Sequence, residues 1–173
     1  MFELSALRVM SLLNYDAKTG VFTWRVSRGR NAKAGDVAGC PNEWGHIRIK
    51  IDGRLYMAHQ LAWLLMTGTW PQHQIDHRDT NPANNAWLNL RAATSGQNMC
   101  NIGLRKDNKV GLKGVCWNNW NGKFSATIRS AGKQRHLGYF VDPVEAHEVY
   151  CLAAEMLHGE FANLGHSAPH FAQ

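Results

Sequence analysis

Between residues 75 and 101 the chain reads Ile75-Asp76-His77, Asn84-Asn85, Asn89-Leu90-Arg91, Thr94-Ser95-Gly96-Gln97-Asn98 and Asn101. Carboxylate and amide oxygens are donors for a hard cation, and a single imidazole stands among them. Thr94 and Gln97 form a T-x-x-Q capping box, which predicts a helix starting at Ser95 with Asn98 in its first turn. The amino terminus of a helix also favours a phosphate nearby.

A second chemical feature is charge. The chain has 19 Lys+Arg against 13 Asp+Glu, a formal net charge of +6, and a sequence pI near 9.4. Residues 103–140 hold 8 basic side chains and the single acid Asp107, whereas residues 141–173 hold no Lys or Arg and 5 acids. A basic stripe beside an acidic tail points to a polyanionic partner, because Lys and Arg that neutralise phosphates release counterions. Nucleic acid comes first among such partners and a membrane surface second.

The elements that must carry these groups can be read from periodicity. Ala146, Val149, Tyr150, Ala153, Ala154 and Leu157 recur at helical spacing, with Asp142 and Glu145 as a D-x-x-E start, Pro143 in the first turn and Gly159 as the stop. Before that helix, Gly114 to Trp120, Lys123 to Arg129 and Arg135 to Phe140 have strand character, separated by Asn121-Gly122 and by Ser130 to Lys133. Phe124, Ala126 and Ile128 alternate with Ser125, Thr127 and Arg129, so one face is apolar and can cover the helix while the other is polar and basic. Upstream, a helix is expected around Leu4 to Leu13 and hairpins at Tyr15 to Trp24 and Trp44 to Met57, the latter turning at Asp52-Gly53. Ala58 to Thr67 is a nearly all-round apolar, hence buried, helix ended by Gly68.

The 173 residues allow one domain or two small ones. The longest apolar run, Leu61 to Met66, is far short of the roughly 18 residues of a membrane span. An acid at position 3 does not fit a secretory signal, so an intracellular protein is expected. Cys40, Cys100, Cys116 and Cys151 lie far apart with no C-x-x-C spacing, which argues for buried thiols and against structural zinc.

The pattern D-H-x(7)-N-x(3)-N-L-R-x(2)-T-x(3)-N-x(2)-N, preceded by Ala58-His59 to Trp63 and Thr67-Gly68-Thr69-Trp70-Pro71, resembles the phage-type HNH endonucleases related to homing enzymes. Tyr15-Asp16 to Thr23-Trp24 fits their amino-terminal region. The resemblance implies a ββα-metal core at about residues 55–102. In it His77 is the general base, Asp76 and Asn98 ligate one Mg²⁺ or Mn²⁺, and Asn89 is a central asparagine bracing the loop between the ligands. An imidazole with pKa near 6.5 suits proton abstraction at neutral pH. Related phage enzymes carry arginine where this chain has Gln60 and Ala86.

Residues 111–163 resemble the Apetala-type DNA-binding domain of plant ethylene-response factors, through Gly114-Val115, Trp120, Gly122-Lys123-Phe124, Ala126-Thr127-Ile128-Arg129, His136-Leu137-Gly138-Tyr139-Phe140, Ala153-Ala154 and Gly159-Glu160-Phe161-Ala162. That domain lays a three-stranded sheet in the major groove of duplex DNA. The resemblance implies Lys113, Asn118, Trp120, Lys123, Thr127, Arg129, Gln134 and His136 as the DNA-facing set. Cys116, Asn118 and Gln134 stand where the plant domain presents arginine and Thr127 where it has glutamate, so the plant target sequence does not carry over.

The expected architecture is therefore α+β. An HNH region with amino-terminal β-hairpins spans residues 1–102, a linker 103–110, a sheet-and-helix module 111–163 and a tail 164–173. The expected function is a metal-dependent endonuclease that nicks double-stranded DNA as a monomer, encoded by a phage or prophage and acting in the cytoplasm of a bacterial host. A DNA-binding regulator with an inactive nuclease core is the alternative; an RNA binder lacks the aromatic pattern of common RNA modules. Without Asn89 and Asn98, Asp76-His77 would read as a surface ion pair. His59 reads as a core or supporting histidine, and His46, His73, His147, His158, His166 and His170 have no nameable partner. Trp24, Trp44, Trp63, Trp70 and Trp87 read as core or hairpin anchors.

Overall fold

A computed structural model of the chain describes residues 4–29 and 32–165. The amino-terminal reading at residue 3, and the tail from residue 166 with His166 and His170, lie outside the described residues. The chain divides into two compact units, Met1–Ala93 and Thr94–Gln173. Among the described residues no helix is long and apolar enough to cross a membrane.

The first unit begins with α1 (Ala6–Leu12), whose N-cap Ser5 accepts a hydrogen bond from the Arg8 N–H. β1 (Leu13–Tyr15) and β2 (Phe22–Trp24) pair antiparallel, Leu13 opposite Trp24. β3 (Cys40–Pro41), β4 (Ile47–Ile51) and β5 (Arg54–Met57) form a three-stranded sheet rather than a lone hairpin. Asp52 and Gly53 turn β4 into β5 with φ of 47° and 83°, the left-handed pair that matches strand twist. α2 (Ala58–Thr67) follows without a break and stops at Gly68. Val9, Leu12, Leu13, Phe22, Ile49, Ile51, Leu61 and Leu64 make the core, and Ile75 and Leu90 join it. Those last two belong to β6 (Gln74–His77) and β7 (Leu90–Ala93), so core burial fixes this hairpin's place.

The second unit opens with α3 (Ser95–Cys100), where the full capping box forms: Thr94 Oγ1 accepts from the Gln97 N–H and Gln97 Oε1 from the Thr94 N–H. β8 (Val115–Asn118), β9 (Lys123–Ser130) and β10 (Lys133–Phe140) form an antiparallel sheet with β9 central. α4 (Pro143–His158) packs on it, with Val115, Ala126 and Ala146 in one apolar cluster and Ile128, Tyr150 and Ala154 in another. A side chain at Gly114 would stand 2.0 Å from the Tyr150 ring, so this crossing requires glycine. The architecture is α+β, with β6, β7 and α3 in ββα order along the chain and a three-stranded sheet packed on one helix.

Several local expectations are corrected. The β8–β9 connection is a four-residue loop from Asn119 to Gly122, not a two-residue Asn-Gly turn, since Asn118 pairs with Lys123 and its Oδ1 accepts from the N–H groups of Trp120 and Asn121. The expected cap at Asp142 is present, its Oδ1 accepting from the Val144 N–H. Cys40 and Cys116, on strands, are exposed and Cys100 and Cys151, on helices α3 and α4, are partly so, so none of the thiols lies in a core. Trp44, 71% exposed in the turn before β4, anchors no core.

Candidate active site

Strand pairing sets the first contact of the site. Asp76 lies opposite Arg91, so their side chains share one face of the β6–β7 hairpin. Arg91 donates to Asp76 Oδ2 from Nε at 2.8 Å and approaches it through Nη2 at 2.7 Å, with both side chains almost wholly buried. A buried carboxylate persists only when so compensated. His77, next along β6, is 6% exposed.

The loop joining the two strands is tied by side chains rather than by regular structure. Asn89 donates from Nδ2 to Asp79 Oδ1 and to the Asn84 carbonyl, and its Oδ1 accepts from the Asp79 N–H. The Arg78 N–H donates to the Asn89 carbonyl. Asp79 also takes Asn84 Nδ2 at 2.6 Å and the Asn81 N–H at 2.9 Å. Asn89 thus spans the loop end to end. Asp79 is its other hub, unnoticed in the sequence although Asp79-Thr80-Asn81 is a turn signature.

Asn85, 2% exposed, connects this loop to the base candidate. Its Nδ2 donates to the Ala83 carbonyl, and its Oδ1 lies 3.4 Å from His77 Nε2. The Tyr15 hydroxyl donates to the Asn85 carbonyl at 2.7 Å, and the Trp87 N–H donates to the Ala17 carbonyl. Gly20 completes the buttress: a Cβ there would stand 2.2 Å from Ala86 N and from Asn85 C. The amino-terminal hairpin therefore has a positional role that its sequence, remote from the motif, does not announce.

Two further imidazoles reach His77. The His46, His59 and His77 ring centroids lie 5.2 to 5.6 Å apart. Burial pulls all three rings below the ordinary imidazole range; His59, also facing the other two, falls to about 3. For His77 the Asn85 contact, Asp79 and Asp76 pull the other way, less strongly than burial. The rings are consequently neutral at pH 7. His46 and His59 are separated from His77 by 31 and 18 residues, respectively, a distance no spacing rule bridges.

The remaining site candidates belong to the second unit. Asn98 is half-buried on α3, one residue past the capping Gln97. On the sheet, Asn118 pairs with Lys123, Thr127 with His136 and Arg129 with Gln134, so these six share the face opposite Phe124, Ala126 and Ile128. Trp120 is 97% exposed in the β8–β9 loop, whereas Trp117 packs edge-on against Phe124. Lys113 stands apart. Its Nζ donates to the carbonyls of Cys100, Ile102 and Asn163, and burial lowers its pKa to about 8. It ties the segment after α3 to the chain after α4.

Comparison with known proteins then gives four findings. Residues 56–100 match the family model described as HNH endonuclease. Protein 3.8 of Escherichia phage T7 is 35% identical over 105 residues, 60% of this chain and 86% of that protein. An uncharacterized HNH endonuclease of Acanthamoeba polyphaga mimivirus is 32% identical over 111 residues, 64% of this chain and 57% of that protein. A solved structure of DNA binding and cleavage by the HNH homing endonuclease I-HmuI is similar over 82% of this chain and 76% of that one, at 20% identity and a TM-score of 0.39. That last likeness is too loose to carry weight.

Proposed function

The chain belongs to the HNH endonuclease family, and from that premise we propose that it is a metal-dependent endonuclease that nicks duplex DNA, directed to it by the sheet of residues 111–163. The observation that carries this reading is the placing of a buried, neutral His77 directly after a buried Asp76–Arg91 pair, on a hairpin whose loop is held by Asn89. A neutral imidazole is a base already in its working form at pH 7.

In this reading Asn85 Oδ1, which only accepts, keeps the His77 proton on Nε2 and so makes Nδ1 the basic nitrogen of the ring. His77 takes the water proton as the new phosphorus–oxygen bond forms and the bond to the 3′ oxygen breaks. Arg91 fixes the orientation of the Asp76 carboxylate and balances its charge in the interior. By the family resemblance Asp76 and Asn98 would be the ligands of one Mg²⁺ or Mn²⁺, each offering a hard oxygen donor. When bound, such an ion stabilises charge developing on the phosphate and on the leaving oxygen. Asn89 braces the loop and touches no reacting atom.

The module of residues 111–163 is proposed to act as an Apetala-type domain. Lys123, Thr127, Arg129, Gln134, His136 and Asn118 would present the basic open face to the groove, with Trp120 at its loop. Lys113 is given a structural part, since its ammonium already serves three carbonyls. The division into an HNH region of 1–102, a linker of 103–110 and this module is a functional one. The relative in Escherichia phage T7 supports the reading of a phage or prophage protein inside a bacterial host, and a monomer is proposed with it.

A supercoiled-plasmid assay in Mg²⁺, Mn²⁺ or EDTA tests the proposal. Open-circular product that requires the metal is expected, and His77→Ala should slow its formation by about 10²- to 10⁴-fold while leaving DNA binding intact. Linear product would mean paired cuts. Salt-sensitive binding with no cleavage under any metal would favour the regulator reading, to which Gln60 and Ala86 lend support.

A further inference from the structure

Three imidazoles from separate elements converge in the first unit. His46 sits just before β4, His59 in the first turn of α2 and His77 at the end of β6. One ring nitrogen from each lies within 4.8 Å of the other two. His46 Nδ1 and His59 Nδ1 are buried with no hydrogen-bond partner among the described residues. Buried polar atoms are rarely left in that state, and two at one place mark a site that wants a partner.

The donor set says what kind. Neutral imidazole is a borderline ligand that suits Zn²⁺, Cu²⁺ or Ni²⁺ and is a poor ligand for Mg²⁺. In a tetrahedral Zn²⁺ site with Zn–N near 2.0–2.1 Å the nitrogens stand roughly 3.3 Å apart, so closure needs ring movements of only about 1 Å. Three protein ligands leave a fourth position for water or a phosphate oxygen.

We propose that His46, His59 and His77 form a second metal site for a borderline transition ion of the Zn²⁺ class, and that its occupation withdraws His77 from proton transfer. A ring nitrogen that ligates a cation cannot accept a proton from water. The site itself stands on geometry; its effect on hydrolysis rests on the role given to His77 above. Zinc would then be a reversible off-switch, in competition with the hydrolytic state rather than part of it.

The full-length chain, freed of metal, is titrated with Co²⁺ as a spectroscopic probe and then with Zn²⁺. The expected result is one Co²⁺ per chain with a tetrahedral visible spectrum, displaced by Zn²⁺ and unaffected by a large excess of Mg²⁺. His46→Ala should weaken binding by at least about a hundredfold. Imidazole ¹H–¹⁵N spectra of the unsubstituted chain guard against misfolding of the variant: Zn²⁺ must shift three rings stoichiometrically, those absent or altered in His46→Ala, His59→Gln and His77→Ala. Absence of Co²⁺ and Zn²⁺ binding, or binding that survives His46→Ala unchanged, overturns the site. In the plasmid assay at fixed Mg²⁺, equimolar Zn²⁺ should suppress nicking at least tenfold and a zinc-selective chelator should restore it. Each variant is compared with its own zinc-free rate. Zinc binding without inhibition of an active enzyme overturns the switch. A chain that never nicks overturns the role of His77 and the switch with it, while spectroscopy still decides the site.

Discussion

In the first unit the proposed catalytic groups are inside, Asp76 and His77 being 4% and 6% exposed, whereas Lys123, Arg129, Gln134 and His136 of the second unit stand in solvent on a three-stranded sheet. The two regions also differ in what holds them. The loop between β6 and β7 depends on Asp79, Asn84, Asn85 and Asn89, each tied to backbone or to one another. The sheet of the second unit depends on backbone pairing and on a small apolar interface with α4. Buried, mutually dependent groups fail together, while exposed groups on an independent scaffold contribute singly and additively.

The sharpest way to break that contrast is to remove one member of each set and compare. His77→Ala should slow nicking by about 10²- to 10⁴-fold with little change in affinity for DNA, whereas Arg129→Ala should lower affinity with the single-turnover rate at saturation preserved. Equal losses of rate in both would erase the distinction. Next in size is Arg91→Ala, which strands a buried carboxylate; we expect a loss of about 3–5 kcal/mol in stability by urea titration. Arg129→Ala, at an exposed position, should stay within about 0.5 kcal/mol in the same experiment.

Gly20→Ala tests the buttress. Its methyl group would displace the backbone at Asn85 and Ala86, and Asn85 carries the contact to His77. A loss of about 1–3 kcal/mol is expected, with a fall in nicking at temperatures where the variant is fully folded. Unchanged activity in the folded variant would detach the amino-terminal hairpin from the site. For the open face, Lys123→Ala and Arg129→Ala should each make the salt dependence of binding shallower by about one, read from affinity against log salt.

A further comparison separates the units by pH. His59 is held at about 3 against an ordinary 6.5, so below 6.5 the unfolded chain binds a proton that the folded one refuses. This ring's contribution is complete above pH 6.5 and is lost as pH falls towards 3. Lys113 is lowered to about 8 from 10.5, so the second unit gains stability as pH rises from 8 to 10.5. Melting curves followed by the tryptophans of each unit should rise in those two separate windows. Replacing His59 by Gln should flatten the acid one, and replacing Lys113 by Met the alkaline one.

Much of this was legible residue by residue. The Thr94–Gln97 box, the Asp52-Gly53 turn and the stop at Gly68 are local rules obeyed locally. Strand parity in Lys123–Ser130 placed Thr127 and Arg129 together, because alternation is a property of the backbone. Lys113 was not legible: its charge reads as a phosphate contact, yet three carbonyls brought in by chain closure take up its ammonium. Nor were the exposed Cys40 and Cys116, whose burial no local pattern states.

What the sequence determined by itself is the set of short-range decisions: where helices and turns begin and end, which strand residues share a face, and the ordered motif Asp76-His77, Asn89, Asn98 on which the family resemblance rests. Tertiary structure alone decided that Arg91 would neutralise Asp76 in the interior, that Tyr15 and Gly20 would prop Asn85, and that His46 and His59 would meet His77. The physical reason is range. Capping, turns and alternation are settled within a few bonds, whereas these meetings follow from burying Ile49, Leu61, Ile75 and Leu90 in one core, a condition to which the whole unit contributes.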